Sequence, residues 1–387
     1  MRIDPSCERL DQDGRPILRT RAGLGSGLEL VLPGGLWTNV PVKEAFATRS
    51  PFALAHRQGR YVIERGGEEI AQVQIPAAPA FYSRTTSSGR VMSRVGVLQG
   101  TYLAVYPTGV CAHWLREPRR NCAFCSVGLN LGAQEDQEKR VDDVVETALA
   151  AREELGITYV HFNTGYYDGD TYLDELEPFV EAISRRTGLL IGVQTPPHPD
   201  LSRYRKLRAM GVNQVSFCFE LWDRAAFEKH CPGKAEKVGL DRYLEAIRYC
   251  APIFDTTNGE IVAGLEPVDS TLAAIEWITD QGAVPTVCVF RPLIGTDLQD
   301  HPPPEPQPLV PVFRRLFEAC MDKGLPLGIA PNVNVSIILK PEECRWFVDD
   351  PGRWWHREWK AAVMRKGLEG LLAMRRARAA WYRRGHS

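Results

Sequence analysis

Hydrophobic and polar positions follow two different patterns along the chain. Residues 1–100 contain short runs of β-type alternation, separated by glycine and proline, and lack long helical periodicity. These runs lie at 27–32, 61–64 and 70–75. Because such runs are typical of short strands, we predict a small β-rich N-terminal region over residues 1–100.

From about residue 101 the pattern changes to a regular alternation of strand-like and helix-like segments. Strands are predicted at 102–106, 157–163, 189–194, 214–220, 259–264 and 286–290, and helices at 142–155, 173–186, 200–210, 240–249 and 271–281. Repeated β-α units require parallel strands joined by crossover helices. The expected fold class is therefore α/β, with a partial or complete (β/α) TIM-type barrel. No G-x-G-x-x-G pattern follows any of these strands, which disfavours a nicotinamide dehydrogenase.

The last part of the chain differs again. The proline-rich stretch at 301–306 predicts a stiff connector. Residues 353–387 are basic and contain tryptophan, and we expect a terminal helix with its tryptophans packed on the barrel and its arginines in solvent, rather than an arm that contacts RNA. The chain thus divides into a β-rich region at 1–100, a barrel at 101–345 and a basic, tryptophan-containing helical tail at 346–387.

Composition places the chain among ordinary globular proteins, since 44% of its 387 residues are hydrophobic and 25% are charged. Its 47 basic and 48 acidic residues give a net charge of −1, without the basic excess typical of proteins that bind the nucleic acid backbone. No apolar run is long enough for a membrane span, and no apolar stretch follows the charged N-terminus. We therefore expect no signal peptide, no membrane partner and a cytoplasmic location.

Three of the ten cysteines, Cys111, Cys122 and Cys125, form a C-x10-C-x2-C pattern in one polar loop after the first predicted barrel strand. Three interpretations compete: a structural zinc site with His113 as the fourth ligand, unligated buried thiols, or a [4Fe–4S] cluster held by three cysteines with one open iron. No second pair of zinc ligands follows nearby. The loop leaves the C-terminal end of a barrel strand, where barrel enzymes hold their reactive centres, and this position favours the cluster.

The segment 122–125, Cys-Ala-Phe-Cys, has an aromatic residue before its last cysteine and opens a run of β-α units. It resembles the cluster motif of the radical S-adenosylmethionine (SAM) superfamily, whose usual spacing is C-x3-C-x2-C; the first interval here is longer. The segments 232–235 and 290–298 are similar to the biotin-synthase-like branch. Within it, the chain resembles uncharacterised radical SAM proteins found beside nitrilases, whose cysteine loop is also lengthened. The resemblance covers residues 100–335.

This resemblance implies a barrel of the radical SAM kind, with a [4Fe–4S] cluster on Cys111, Cys122 and Cys125 and S-adenosyl-L-methionine bound to the open iron. It also implies an electron donor such as flavodoxin or ferredoxin, and a 5′-deoxyadenosyl radical that abstracts hydrogen from the substrate. The residues expected to bind SAM or to line the barrel mouth are Phe124, Thr164, Gly165, Gln194, Ser216, Glu220, Ile261, Glu266 and Arg291.

A second cluster is a further possibility, because Cys218 and Cys288 both fall on predicted strands and Arg291 follows the latter. Side chains alternate between the two faces of a strand, so Arg291 and Cys288 are predicted to point in opposite directions. We therefore expect buried thiols here, and no sulfur-insertion chemistry.

Three functions remain open at this point. The first is a radical SAM enzyme acting on a small molecule, which the near-neutral charge and the enclosed barrel favour. The second is radical SAM modification of a macromolecule, tRNA or peptide, with the N-terminal region or the basic tail as docking surface; the charge disfavours nucleic acid. The third is a non-enzymatic zinc-binding protein.

Overall fold

The computed structural model describes residues 1–7 and 27–385. Residues 8–26 of the predicted β-rich region and residues 386–387 of the predicted tail lie outside the described residues. Numbered along the described part of the chain, the strands are β1 (Arg2–Ile3), β2 (Leu28–Leu32), β3 (Leu36–Val40), β4 (Phe52–Arg57), β5 (Arg60–Arg65), β6 (Glu68–Val73), β7 (Val97–Gln99), β8 (Tyr102–Val105), β9 (Tyr159–Asn163), β10 (Leu190–Gln194), β11 (Gln214–Glu220), β12 (Thr256–Ala263) and β13 (Val284–Val289).

The helices show the periodic apolar face expected from the sequence. In the same numbering they are α1 (Met92–Val95), α2 (Ala112–Leu115), α3 (Val127–Asn130), α4 (Val141–Leu155), α5 (Tyr172–Arg186), α6 (Arg203–Met210), α7 (Arg224–His230), α8 (Pro232–Lys237), α9 (Leu240–Cys250), α10 (Val268–Asp280), α11 (Pro306–Lys323) and α12 (Trp355–Gly385). Helix α4 illustrates the local signals: two aspartates lie in its first turn, and Gly156 ends it with a left-handed φ of 64°.

The centre of the described part is a seven-stranded sheet with the order β13-β12-β11-β10-β9-β8-β7. Strands β8 to β13 are parallel and follow one another in chain order, whereas β7 pairs antiparallel with β8 at the edge. Helices α9 and α10 pack on β11 and β12, as parallel strands buried on both faces require. The sheet curls into a half-barrel, so the expected α/β fold is confirmed in its partial-barrel form.

The described part of the N-terminal region forms two small sheets. One has the order β1-β4-β5-β6, and the other is the β2–β3 hairpin. The hairpin contacts the half-barrel through Glu29, whose carboxylate accepts hydrogen bonds from the Gly100 N–H (3.0 Å) and the Ser336 hydroxyl. The Asn39 N–H donates to the Ser336 carbonyl at 2.6 Å. The hairpin is therefore bound to the turn that joins β7 and β8.

The segment between α11 and residue 342 crosses the N-terminal ends of the strands. The Thr101 N–H, just before β8, donates to the Asn334 carbonyl at 3.1 Å. The Thr158 hydroxyl, just before β9, donates to the Pro331 carbonyl at 2.5 Å. This segment therefore forms the floor of the half-barrel, at the end opposite to the cysteine loop.

Helix α12 packs against the half-barrel in the reverse of the expected orientation. Several of its arginines reach the protein: Arg365 donates to the Gly328 carbonyl at 2.7 Å and Arg376 to the Ile157 carbonyl at 3.4 Å. Its tryptophans are exposed, at 67%, 66% and 75% for Trp355, Trp359 and Trp381. The expected packing is thus wrong for these three tryptophans, because long arginine side chains cover apolar surface and also satisfy unpaired carbonyl groups. It holds for Trp354, just before the helix, which is 4% exposed and packs against Phe317. No helix in the described ranges is long and apolar enough to cross a membrane.

Candidate active site

The cysteine loop follows β8 and lies at the C-terminal ends of the parallel strands. Cys111 immediately precedes α2. Cys122 and Cys125 lie in a turn before α3, closed by a hydrogen bond from the Cys125 N–H to the Cys122 carbonyl at 2.9 Å. The Ala112 N–H donates to the carbonyl of Tyr166, after β9, at 2.8 Å. The loop is therefore fixed to the end of the neighbouring strand.

Two glycines allow neighbouring backbone to approach this loop closely. A Cβ at Gly165 would lie 2.5 Å from the Cys111 Cβ and 2.7 Å from the Tyr106 hydroxyl. A Cβ at Gly233 would lie 2.4 Å from the Arg120 carbonyl oxygen, which accepts the Gly233 N–H at 2.9 Å. A larger residue would displace the loop at either place. Gly165, expected from the resemblance to bind SAM, therefore also has a packing reason to be glycine.

The three thiols differ in their electrostatic environment. Burial raises the pKa of Cys111 and raises that of Cys125 to about 12. The pKa of Cys122 is lowered, first because the Cys231 thiol donates a hydrogen bond to it, and then, against the effect of burial, because the Lys234 ammonium is near. A thiolate is the form that binds metal, so the protein itself favours the binding form at Cys122.

All three thiols line one cavity of about 820 Å³ inside the half-barrel. Several other lining atoms are buried and have no hydrogen-bond partner in the described part of the chain: both ring nitrogens of His113, Asn121 Oδ1 and Asn163 Oδ1. Buried polar atoms in folded proteins are nearly always paired. Their position beside the cysteines therefore marks a place where a polar ligand fits.

The sequence left two metal centres open for the cysteine loop, a zinc site with His113 and a [4Fe–4S] cluster. Among the described residues no group of three or more His, Cys, Asp or Glu side chains is arranged to hold a metal ion. A mononuclear zinc site needs ligands at about 2.0–2.3 Å from one ion. In a [4Fe–4S] cluster each cysteine binds a different iron, and three thiols that line one cavity are compatible with that arrangement.

The residues expected to bind SAM divide into two groups. Those that line the cavity with the cysteines are Phe124, Thr164, Gly165, Gln194 and Glu220. Those that are absent from its lining are Ser216, Ile261, Glu266 and Arg291. Only some of the residues expected at the strand ends therefore line the cavity that holds the cysteines.

Glu220 ends β11 beside a bulge in the β11–β12 pairing, with a left-handed φ of 69°. Its carboxylate accepts a hydrogen bond from Lys234 Nζ at 2.5 Å, and the same ammonium donates to the Cys218 carbonyl at 2.6 Å. Although burial opposes the charge, Glu220 and its neighbours raise the pKa of Lys234 well above its usual range. Lys234 lies in the segment 232–235 that the sequence singled out, but only the structure places its ammonium at the site.

Glu260 on β12 is a buried carboxyl of the cavity that sequence reasoning missed. It accepts hydrogen bonds from the Ser216 hydroxyl and, at 2.8 Å, from the Cys218 thiol. The Gln194 amide donates to the Cys218 sulfur at 2.5 Å. Burial raises the pKa of Glu260. Strand alternation predicts that Ser216 and Cys218 share a face, but their partner on the next strand depends on the register between β11 and β12.

Glu266 and Arg291 do not face the cavity. Glu266 binds neighbouring backbone groups, and Arg291 binds the β2–β3 hairpin. The Glu266 carboxylate accepts the N–H groups of Trp222 and Asp223 at 2.7 and 2.8 Å. Arg291 donates to Asn39 Oδ1 of β3 at 3.1 Å. Both residues therefore hold structural elements around the site in place.

Cys288 lines the cavity and Arg291 does not, so the two face differently, as strand alternation predicts. Cys218 lines the cavity as well. Burial raises the pKa of both thiols, and among the described residues they belong to no group that could hold a metal ion.

A half-barrel with a three-cysteine loop at the C-terminal ends of its strands is the architecture expected for a radical SAM protein. No protein-family model matches the chain. A curated relative, bacteriochlorophyllide c C-7(1)-hydroxylase of Chlorobaculum limnaeum, is 32% identical over 125 residues, which are 32% of this chain and 31% of that protein. The chain thus spans about a third of the length of the curated relative it matches.

Similar solved structures include methylornithine synthase (PylB), with 18% identity, a TM-score of 0.42 and coverage of 56% of this chain and 62% of that chain. They also include coproporphyrinogen III oxidase (HemN) of Escherichia coli, described as a radical SAM enzyme, with 15% identity, a TM-score of 0.37 and coverage of 53% and 50%.

Proposed function

We propose that this chain is a radical SAM enzyme that acts on a small molecule, with Cys111, Cys122 and Cys125 as the ligands of its [4Fe–4S] cluster. One observation carries the proposal: the three thiols line the same 820 Å³ cavity as the strand-end residues Gln194 and Glu220. When bound, the cluster and SAM supply the one-electron cleavage of a sulfonium to a 5′-deoxyadenosyl radical that abstracts hydrogen.

The chain's own residues bind, orient and exclude water. Glu220, held by Lys234, presents a carboxylate to the cavity and suits a hydroxyl or ammonium group of the cofactor. Asn163 presents an unpaired amide oxygen beside the cysteines for the same kind of donor. Phe124 is only 3% exposed and packs within the hydrophobic core, so it shields the loop from water.

The size of the cavity supports a small substrate. Sites for small molecules and cofactors typically measure about 300–1,000 Å³, so a cavity of 820 Å³ offers room for SAM and a further molecule. The name of the curated relative, a hydroxylase of a bacteriochlorophyllide, agrees with a small-molecule substrate. Modification of a tRNA or peptide would require a surface groove that leads to the cysteines.

The test is anaerobic reconstitution with iron and sulfide, followed by SAM and dithionite and a measurement of 5′-deoxyadenosine. We expect about four irons per chain, with nucleoside formed by the wild type and not by the Cys111→Ala, Cys122→Ala or Cys125→Ala variants. Cys250→Ala is the matched control, because Cys250 is a buried free thiol at the end of α9. A protein that binds zinc, takes up no iron and leaves SAM intact would refute the proposal.

A further inference from the structure

Helix α12 presents an apolar stripe to solvent. A helix turns about 100° per residue, which places Trp359, Val363, Met374 and Trp381 within one narrow arc of its surface. These side chains are 66%, 52%, 65% and 75% exposed. Exposed apolar side chains that form a contiguous patch mark an interaction surface, whereas scattered ones do not.

Basic residues border this stripe on both sides. By the same helical geometry, Lys366 and Arg384 lie on one flank and Lys360 and Arg378 on the other. All four are exposed. The two glutamates of the helix lie away from the stripe; Glu358 pairs with Arg345, and Glu369 with Lys366. The outward face of α12 is therefore mainly apolar in its centre, where His356 is also exposed, and positive at its borders through Lys360, Arg378 and Arg384, in a chain whose net charge is −1.

The chemistry of this face favours lipid over nucleic acid. Several arginines that a nucleic acid would need are used inside the protein: Arg357, Arg365, Arg375, Arg376 and Arg383 all donate to carbonyl or amide oxygens of the half-barrel or its floor. What remains outside is tryptophan, methionine and valine between lysines and arginines. This is the composition of helices that lie in the plane of a membrane surface, where tryptophan prefers the interface and cations attract anionic headgroups.

We propose that the outward face of α12 binds the surface of an anionic phospholipid membrane. The expectation of no membrane partner rested on the lack of a long apolar run, and a helix lying in the membrane plane needs none. The partner is thus a lipid surface with negative headgroups, and the helix binds it without crossing it.

The position of the cavity supports this partner. Met364, Gly367, Leu368 and Leu371 of α12 line the cavity, and Met364 and Leu371 are also 44% and 46% exposed, on the side of the Lys360 and Arg378 flank that faces the half-barrel. The cavity floor near α12 is aliphatic, with Leu327, Ile329, Val333, Val335, Ile337 and Ile338. A helix lying in a bilayer surface would hold this end of the cavity against the lipid. This arrangement suits an apolar substrate that is taken from the membrane, an inference that rests on the proposed function.

Co-sedimentation of the full chain with vesicles tests the proposal. We expect binding to vesicles of phosphatidylcholine and phosphatidylglycerol, weaker binding at high salt, and little binding to phosphatidylcholine alone. The double variant Trp359→Ser/Trp381→Ser should bind at least about tenfold more weakly, as should Lys360→Glu/Arg378→Glu. The matched control is Trp346→Ser, because Trp346 is 82% exposed and follows Arg345, which pairs with Glu358 away from the stripe.

The outcomes separate this proposal from the proposed function. Because the substituted side chains are exposed, the variants should keep the wild-type melting temperature and form 5′-deoxyadenosine from SAM at the wild-type rate without vesicles. Equal binding of wild type and double variants to anionic vesicles would overturn the proposal. Two further outcomes would overturn it if the wild type does not bind vesicles. In one, the wild type is a dimer that the Trp359→Ser/Trp381→Ser variant dissociates; in the other, the wild type binds tRNA through α12.

Discussion

The Lys234 ammonium lies 2.5 Å from the Glu220 carboxylate, and the side chains of both residues are about 85% buried. The pair joins the end of β11 to α8, next to the cysteine loop. Removal of one partner from a buried ion pair leaves the other charge unpaired in a poorly solvated place, which is costly. The pair should therefore both stabilise the folded half-barrel and hold the end of β11 in position beside the cysteine loop.

We expect Lys234→Met to lower the free energy of unfolding by about 3–5 kcal/mol. The double variant Lys234→Met/Glu220→Gln should regain a large part of that loss, because no buried charge is left unpaired. Urea denaturation at pH 7 measures both effects. The control is Lys323→Met, since Lys323 pairs with Asp280 on the exposed surface and its loss should cost less than about 1 kcal/mol. Equal losses for the two single variants would contradict the expectation.

Gly165→Ala should displace the cysteine loop, because its Cβ would lie 2.5 Å from the Cys111 Cβ. We expect a folded protein that binds less iron after reconstitution than the wild type and has a weaker cluster absorbance. Iron analysis and the visible spectrum measure this effect. Gly109→Ala is a matched control in the same loop, since a Cβ there would meet no atom within 4 Å. Wild-type iron content in Gly165→Ala would show that the loop tolerates the contact.

Glu266 and Glu220 were both expected to bind SAM, and the structure separates their surroundings. Because Glu266 accepts two backbone N–H groups, Glu266→Ala should lower the free energy of unfolding by about 2 kcal/mol and leave SAM affinity unchanged. Because Glu220 lines the cavity, Glu220→Gln should weaken SAM binding. Titration of the reconstituted proteins with SAM, beside urea denaturation, distinguishes the two roles. Weakened SAM binding in Glu266→Ala would assign that carboxylate to the cofactor site.

Burial lowers the pKa of His161 on β9 from 6.5 to about 4. Between pH 6.5 and pH 4 this residue therefore binds a proton in the unfolded chain and not in the folded chain. The free energy of unfolding should fall as the pH drops from 6.5 towards 4, and this residue should leave it unchanged above pH 6.5. Between pH 8 and pH 5 its contribution should be about 2 kcal/mol.

The variant His161→Phe should accordingly lose about 2 kcal/mol less stability than the wild type over that interval. Urea denaturation of the reduced apoprotein at both pH values measures the difference. His56→Phe is the control for replacing an imidazole by a phenyl ring, because His56 is exposed on β4. An unchanged pH dependence in His161→Phe would mean that the ring is protonated in the folded state.

Much of the barrel could be predicted because its signals are local. The strand Gln214–Glu220 has the predicted bounds, and the strands and helices on either side differ from their predicted bounds by up to three residues. Apolar runs and helical periodicity depend on neighbours along the chain, so they can be recognised without the fold. The spacing of Cys111, Cys122 and Cys125 is also a local signal, and the resemblance to the radical SAM superfamily rests on it.

The remaining features depend on contacts between distant segments, which no local pattern contains. Strand register pairs Glu260 with Ser216 and Cys218, and the approach of α8 brings Lys234 to Glu220. The orientation of α12 is another case, since both tryptophan and arginine can pack on a protein surface. In this chain the carbonyl groups left unpaired at the floor of the half-barrel bind the arginines. The sequence by itself thus determined the order of the elements and the spacing of the three cysteines, and only the tertiary structure decided which side chains share the cavity and which face of α12 meets the solvent.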